Sequence, residues 1–460
     1  MELLHLDTKN QKQHPANDYS RPTDPNGKHY FIWTSGCQMN EAESAKVEAI
    51  LSQAGYCATR DEFEADVVVL NSCVVRQAAE DKVRGKIGSL VRAKNENPSL
   101  KIAVTGCLVT GQEDKLHEQY PFVDLFFEPS DFGRLPEIVP ELAEIDLDLA
   151  ELPHYYDSGV EDPRVTAYIP IIYGCNFVCS YCIVPYRRGR EVSRPFDDVV
   201  AEVQSLADSG ISEITLLGQT VNAYGHDLPD GRDLADLLEA VDAVDGIDRV
   251  RFLTSHPKYF SDKLIHAIAE LPSLCEHVNL PVQSGDNEIL RRMRRTYTHE
   301  HYRDRIALIR ETIPGVTLAT DIIVGFPGET DEQFQNTLDL LRDIEFDKVH
   351  VAMYSPRPGT LSARWEDDIP HEVKHERHQA VEALQAEVSA RSHQRLVGQR
   401  EEILVDGFAR GRWRGRTRGN QLVFFEATGD WTGQLVDVEI TQATTWYTIG
   451  EPVAIAAARA

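Results

Sequence analysis

The chain has 460 residues and a formal charge of −27, a length that fits two to four domains of roughly 100–200 residues each. Apolar residues make up 42% of it, enough for cores, while the acidic balance excludes a general polyanion binder, so any nucleic-acid contact must rest on locally gathered basic residues. No apolar run reaches the roughly 18–20 residues of a membrane span, and the polar start has no secretory signal, which together point to the cytoplasm and no membrane partner.

Residues 1–28 read as a flexible leader. From 29 to 140 the pattern is strand then helix, repeated. The strands are expected at Tyr30–Thr34, Asp66–Leu70 and Lys101–Thr105, and the helices at Glu41–Ala54 and Gln77–Lys94. This alternation predicts a parallel sheet. Residues 141–166, acidic and carrying scattered prolines, read as a linker. From 167 to 368 the alternation resumes. Strands are expected at Tyr168–Tyr173, Glu213–Leu217, Arg249–Leu253, His277–Leu280, Thr317–Val324 and Lys348–Tyr354. Helices are expected between most of them, as at Phe196–Ser209, Leu234–Val244 and His301–Thr312. Six β/α units predict a partial version of the eight-unit barrel, with its chemistry at the C-terminal strand ends. Residues 369–397 read as a helical connector. From 398 to 456 short strands with glycine turns (Glu402–Asp406, Gly415–Arg418, Gln421–Phe425, Gln434–Thr441) predict a small β-barrel. The expected fold class is therefore α/β: an N-terminal parallel-sheet domain, a central partial (β/α)6 barrel and a C-terminal small β-barrel.

The eight cysteines divide by position. Cys175, Cys179 and Cys182 share one short loop, immediately after the first barrel strand. Three thiolates there can hold three irons of a 4Fe–4S cube and leave the fourth iron open. A zinc loop is the alternative, but it would want a fourth ligand, and the nearest histidines, His154 and His226, have no finger-like spacing. Cys37, Cys73 and Cys107 each follow a strand of the N-terminal sheet. In a parallel sheet those strand ends share one edge, where ligands converge. A second open-iron cluster is one reading of them; three buried structural thiols are the other. Cys57 and Cys275 fit neither group and read as small buried hydrophobes.

Polar residues at the expected barrel mouth are candidates for binding a cofactor or substrate: Gln219 and Asn222 after the second strand, Ser255 with His256 after the third, Gln283 after the fourth and Asp321 within the fifth. Helix capping is the plainer role for any one of them. Tyr181, inside the cysteine loop, is a further candidate. The segment Arg410-Gly-Arg-Trp-Arg-Gly-Arg-Thr-Arg418 gathers five arginines around a tryptophan. Arg412, Arg414, Arg416 and Arg418 are suited to phosphate, and the tryptophan to stacking on exposed bases; a solvated hairpin is the alternative. Arg291-Arg-Met-Arg-Arg295 is a second basic run, able to meet RNA or to form a solvated helix face.

The Cys175-x3-Cys179-x2-Cys182 spacing resembles that of the radical S-adenosylmethionine (SAM) superfamily. Joined to a three-cysteine N-terminal domain and a C-terminal β module similar to a TRAM domain, it resembles the methylthiotransferase family over nearly the whole chain. Gly36-Cys-Gln-Met-Asn40, Leu217-Gly-Gln-Thr-Val-Asn-Ala-Tyr224, Ser255-His-Pro257 and Leu280-Pro-Val-Gln-Ser-Gly285 resemble the branch acting on isopentenyladenosine in tRNA. The branch acting on a ribosomal-protein aspartate typically carries proline and lysine at Gln38-Met39. The resemblance implies two 4Fe–4S clusters, on Cys37/Cys73/Cys107 and on Cys175/Cys179/Cys182, with SAM chelated to the open iron of the second. It implies that one SAM methylates a sulfur on the first cluster while another gives the radical that takes hydrogen from the substrate carbon. No general acid–base pair is required. Implied partners are the tRNA anticodon stem–loop, an electron donor such as flavodoxin or ferredoxin, and a sulfur donor. Two other readings stay open at this point: the same chemistry on a protein aspartate, and a non-catalytic iron–sulfur protein that binds RNA.

Overall fold

The computed structural model describes residues 27–73, 77–129, 131–144 and 165–455. The expected leader, apart from its last two residues, lies outside them, as do residues 145–164 of the expected linker. Five parallel strands, β1 (His29–Ser35), β2 (Cys57–Ala58), β3 (Val67–Ser72), β4 (Lys101–Gly106) and β5 (Leu125–Phe126), form a sheet in the order β2-β1-β3-β4-β5. The run Val67-Val-Val-Leu70 is β-branched and buried on both faces, as a central parallel strand must be. Val68 and Leu70 pack with Val83, Ile87 and Leu90 of helix Gln77–Glu96. Val67 and Val69 pack with Val47, Ile50 and Leu51 of helix Gln38–Gln53. The two-residue strands β2 and β5 are too short to leave a periodic signal in the sequence.

The expected strand Tyr168–Tyr173 divides into β6 (Thr166–Pro170) and β7 (Ile172–Tyr173). The second piece pairs antiparallel with β8 (Val192–Ser193), so the cysteine loop between them is closed at its base. The barrel then continues with β9 (Glu213–Leu217), β10 (Arg249–Phe252), β11 (His277–Asn279), β12 (Thr317–Val324) and β13 (Lys348–Met353). They form two parallel sheets, β10-β9-β6 and β11-β12-β13. Cys275 N–H to Val250 O (3.0 Å) and Ser255 N–H to Asn279 O (3.3 Å) bridge the two. Ile214, Leu216, Val250, Phe252, Val278 and Leu318 join the core beneath the surrounding helices. The residues between them (Glu213, Thr215, Arg249, Arg251, His277 and Asn279) fall on the opposite, inner face and are all buried. The inside of this barrel is therefore polar.

Helix His371–Leu396 crosses beside β13. Its Arg377 pairs with the buried Glu329, and its Gln385 donates to the carbonyls of Phe346 and Asp347. After it β14 (Arg400–Ala409), β15 (Arg412–Thr417), β16 (Leu422–Phe425), β17 (Leu435–Ala443) and β18 (Thr448–Ile455) close a barrel in the order β14-β15-β16-β18-β17. Strand β18 has no counterpart in the expected elements. Among the described residues no helix is long and apolar enough to cross a membrane.

The small barrel docks at the N-terminal ends of the larger barrel's strands. Arg249, fully buried, donates to the carbonyls of Arg416 (2.6 Å) and Glu402 (2.9 Å). Arg251 donates to those of Arg418 (2.7 Å) and Thr417 (2.8 Å) while pairing with Glu213 at 3.1 Å. The Thr317 hydroxyl donates to the Gly419 carbonyl at 2.8 Å. Arg249→Ala leaves two acceptors without their charged donor and opens a cavity. We expect a loss of about 2–4 kcal/mol in urea unfolding, together with faster proteolytic cleavage between the barrels. An unchanged unfolding midpoint would show that the joint carries no stability.

Candidate active site

The three N-terminal thiols come to one edge because adjacent parallel strands end there. Cys73 N–H donates to Ser35 O (2.9 Å) and Cys107 N–H to Ser72 O (2.8 Å), so each cysteine is tied to the preceding strand end. Glycine permits the close approach: a Cβ on Gly36 would lie 2.9 Å from the Cys73 Cβ, and one on Gly106, at φ +95°, would lie 2.2 Å from the Ser72 carbonyl oxygen. Beneath them lies a buried polar network. Asn40 Nδ2 donates to Asn71 Oδ1 (2.8 Å), Asn71 Nδ2 returns a bond to Asn40 O (2.8 Å), and Ser72 Oγ donates to Thr105 O (2.6 Å). Cys37 stands at the N-cap of helix Gln38–Gln53.

Cys175, Cys179 and Cys182 sit on the loop between β7 and β8. Cys175 Sγ lies 3.3 Å from Thr220 Oγ1 just past the end of β9, and Arg295 Nη1 points at Cys179 Sγ from 3.5 Å. Burial and the neighbouring Cys179 thiol push Cys182 up to about 12; iron at the sulfur would deprotonate it outright. Among the described residues no three His, Cys, Asp or Glu side chains converge on one ion. Thiolates that each take a separate iron of a cube stand farther apart than the ligands of a single ion.

The two thiol sets are physically joined. The cysteine loop runs into the short helix Val184–Arg188. Arg188 Nε donates to Cys107 Sγ at 3.2 Å, and its Nη1 pairs with Glu43 at 2.6 Å, both side chains under 5% exposed. Burial pushes the Cys107 thiol up, and the Arg188 charge opposes it. Arg187 Nη1 donates to Thr110 O. Met39 and Ala42 pack on Leu217, with Tyr173 and Leu253 alongside, so the start of the N-terminal domain's first helix covers the mouth of the barrel. None of Glu43, Thr220, Arg188 and Arg295 is marked as part of the site by its sequence context. The one available signal is the pair Arg187-Arg188 directly after the loop.

Of the mouth residues, several present polar atoms without a protein partner: Gln219 Oε1, Ser255 Oγ and His256 Nε2. Buried atoms of this kind call for a ligand, and they fit a polar cofactor against the cysteine loop. His256 Nδ1 accepts from Lys258 N–H, leaving Nε2 as the N–H. Its ring stacks on Phe177 of the loop (centroids 3.8 Å), and burial holds its pKa down at about 2. Asn222 is different. Its amide donates to His256 O (3.0 Å) and accepts from His256 N–H (2.8 Å), so it fixes the Ser255–His256 turn and keeps one amide hydrogen and one lone pair beyond these bonds. Gln283 takes a positive φ of 73° and bonds through its backbone to Asp321 and Ile323. Asp321 lies within β12 beside His350 of β13. Tyr181 packs edge-on to Phe326 in a cluster with Ile289 and Met293.

On β15 the arginines alternate with inward residues. Arg414 and Arg416 are exposed and Arg412 partly so, while Gly415 and Thr417 are buried. Each outward arginine faces a carboxylate: Arg412 faces Glu426, and Arg414 and Arg416 face Asp406. Such exposed pairs are worth about 0–1 kcal/mol and exchange readily for phosphate. Two residues of the segment sit differently from the outward arginines. Arg418 turns to the larger barrel, pairing with Glu276 and donating to Leu274 O. Trp413, partly buried, packs edge-on against Phe408 and donates its indole N–H to Ala427 O. The second basic run also divides: Arg291 pairs with Glu288 at the surface, whereas Arg295 reaches Cys179. Cys275 is buried as expected; Cys57 is only partly so, on the edge strand β2.

Comparison with known proteins gives three family matches in chain order: UPF0004, described as an uncharacterized protein family, at residues 29–128; the radical SAM superfamily at 169–341; and the TRAM domain at 394–453. The radical SAM match implies SAM and a 4Fe–4S cluster. In solved structures the fold is similar to the radical SAM methyltransferase TsrM from Kitasatospora setae, with a TM-score of 0.53, 15% identity, and 84% of this chain and 80% of that one covered. The tRNA-2-methylthio-N(6)-dimethylallyladenosine synthase of Herpetosiphon aurantiacus is 45% identical over 93% of this chain and 99% of its own length. Those of Chloroflexus aurantiacus and a Roseiflexus species are 46% and 44% identical, over 96% and 97% of this chain and 94% and 93% of their own. The chain therefore belongs to the family of the tRNA-2-methylthio-N(6)-dimethylallyladenosine synthases, within the radical SAM superfamily.

Proposed function

We propose that this protein adds a methylthio group to C2 of N6-isopentenyl(dimethylallyl)adenosine next to the anticodon of tRNA. The substrate follows that named for relatives matched over almost the full chain. The single observation that carries the mechanism is the contact of Arg188, at the end of the cysteine loop, with Cys107 of the other thiol set. That contact joins the two thiol sets and so supports a sulfur carrier beside a radical source, as sulfur insertion requires.

In this reading Cys175, Cys179 and Cys182 hold the SAM cluster, and Cys37, Cys73 and Cys107 hold a second 4Fe–4S cluster. When bound there, the SAM cluster would supply the chemistry of hydrogen abstraction and the second cluster the sulfur. The protein's own part is placement and exclusion of water. Gln219 Oε1, Ser255 Oγ and His256 Nε2–H orient the bound groups at the mouth, with Tyr181, Gln283 and Asp321 further round it. His256 stays neutral and moves no proton. Met39 and Ala42 cover the mouth. Residues 29–140 act as the sulfur-carrying domain, 167–368 as the radical domain and 398–456 as the RNA-binding domain, joined by 141–166 and 369–397. The electron donor is a low-potential carrier such as flavodoxin or ferredoxin, the sulfur comes from a separate donor, and the site of action is the cytoplasm.

Three outcomes test this reading. Deleting the gene should abolish the methylthio mark and let isopentenyladenosine accumulate, measured by mass spectrometry of tRNA nucleosides. Unchanged nucleosides beside a ribosomal aspartate that loses its mark would overturn the substrate. Replacing Arg412, Arg414 and Arg416 with alanine should weaken binding of the anticodon stem–loop. It should also flatten the salt dependence by about 0.7–0.9 in slope for each phosphate no longer neutralised; an unchanged slope would remove β15 from the RNA surface. Cys175→Ala should eliminate 5′-deoxyadenosine formation, whereas Cys73→Ala should retain it and transfer no methylthio group. Iron should fall from about eight to about four per chain in either. Full methylthiolation by the Cys73 variant would overturn the two-cluster mechanism.

A further inference from the structure

We propose that Arg295 is the fixed positive charge that sets the reduction potential of the iron–sulfur cluster held by Cys175, Cys179 and Cys182. The inference rests on the ligand reading above and concerns the protein side chain alone. Arg295 closes a basic run, two of whose other three arginines lie elsewhere: Arg291 is at the surface with Glu288, and Arg292 lies over the Trp365 ring. Its guanidinium is clamped. Nε donates to the Tyr297 hydroxyl at 2.8 Å, Nη2 to the Pro281 carbonyl at 3.3 Å, and Nη1 faces Cys179 Sγ at 3.5 Å. The Tyr297 hydroxyl is itself tied to the Val282 carbonyl at 2.9 Å. Tyr181 and Tyr297 lie around it, and the nearby imidazole of His256 is held neutral partly by the Arg295 charge.

The arginine at the other thiol set differs in one respect. Arg188 also donates to a cysteine sulfur, but Glu43 lies against it at 2.6 Å and cancels its charge. Among the described residues no carboxylate lies within ion-pairing distance of Arg295. The two three-thiol sets therefore differ in the guanidinium that meets the sulfur, balanced by Glu43 in one and unbalanced in the other, while Glu191 acts on Cys175 at the opposite end of the SAM-cluster loop from Cys182. Cluster potentials follow net charge and hydrogen bonds to the sulfurs, and weak screening away from water strengthens the effect. Reduction adds one electron from a low-potential carrier and breaks no bond, so the cluster becomes more negative by one charge. An adjacent guanidinium stabilises that state and raises the potential. It remains charged at every working pH. The electron is thereby directed to the SAM cluster and away from the sulfur-carrying one.

The test is a redox titration of anaerobically reconstituted full-length protein with titanium(III) citrate, followed by electron paramagnetic resonance. The SAM cluster is identified as the one whose signal changes when SAM is added. Arg295→Met should shift its midpoint negatively, with at least a tenfold fall in the reduced-to-oxidised ratio at fixed potential, about 59 mV for a one-electron couple. Arg295→Lys should recover most of that shift. Glu43→Gln, which uncovers the Arg188 charge, should raise the midpoint of the other cluster and leave that of the SAM cluster in place. If Arg295→Met keeps its iron and its midpoint equals the wild-type value, the inference falls. It falls equally if the midpoint is unchanged and only SAM binding weakens, since Arg295 would then be a contact for SAM. Should Arg295→Met fail to retain iron, Arg295→Lys and Glu43→Gln decide, and a Glu43→Gln variant with both midpoints unmoved overturns the charge account. A SAM-sensitive signal persisting in Cys175→Ala would instead refute the ligand reading itself.

Discussion

The Arg188–Glu43 ion pair is the constraint on which the rest of the site depends. It joins a residue six positions beyond Cys182 to the first helix of the N-terminal domain, with both side chains buried. Breaking such a pair by removing one partner costs about 3–5 kcal/mol, because the other charge is left uncompensated. The same guanidinium touches Cys107, so the pair fixes the approach of the two thiol sets as well as the joint. The apolar contact of Met39 and Ala42 with Leu217 gives that joint adhesion, but a hydrophobic patch alone is non-directional. The charge pair supplies the direction.

The larger barrel distributes its chemistry by the period of the strand. One residue in two faces the helices and is apolar; the next faces inward and is polar or charged. Filling the interior with Glu213, Arg251, His277 and Asn279 forgoes a hydrophobic core there, and the loss is offset by the shell of Ile, Leu and Val beneath the helices. At the lower end the inner arginines Arg249 and Arg251 hold the small barrel. At the upper end lie the cysteine loop and the polar atoms of Gln219, Ser255 and His256, and there Arg187, Arg188 and Leu217 meet the N-terminal domain. Strand position alone thus separates anchoring from reactivity.

Much of this is legible in the chain. The longer strands of both α/β domains lie within a residue or two of where the sequence places them, since β-branched runs between glycine-rich turns carry a strong local signal. The two thiol sets are legible as well, because a parallel sheet brings its strand ends to one edge wherever they lie in sequence. What escapes is tertiary. Asn222 reads like a ligand in sequence, and only the fold shows its amide bonded at both ends to His256. Trp413 and Arg418 look like parts of an RNA face, but strand alternation turns Trp413 into the small barrel, and Arg418 pairs with Glu276, 142 residues away. Arg295 reads as one cation among several, and its approach to Cys179 spans 116 residues. Local composition carries no record of such distances.

The joint between the two barrels recognises peptide geometry. Arg249, Arg251 and Thr317 bond the carbonyl oxygens of Glu402, Arg416, Thr417, Arg418 and Gly419. A carbonyl is the same whatever side chain follows it, so the anchorage is indifferent to the identity of the outward residues on β15. The outward side of that strand can drift in sequence, or gain or lose charge, while its seat stays constant. Most of the socket is therefore written in the main chain, with the Arg249–Glu402 and Arg418–Glu276 pairs as its side-chain part, and the outward residues of β15 lie outside it.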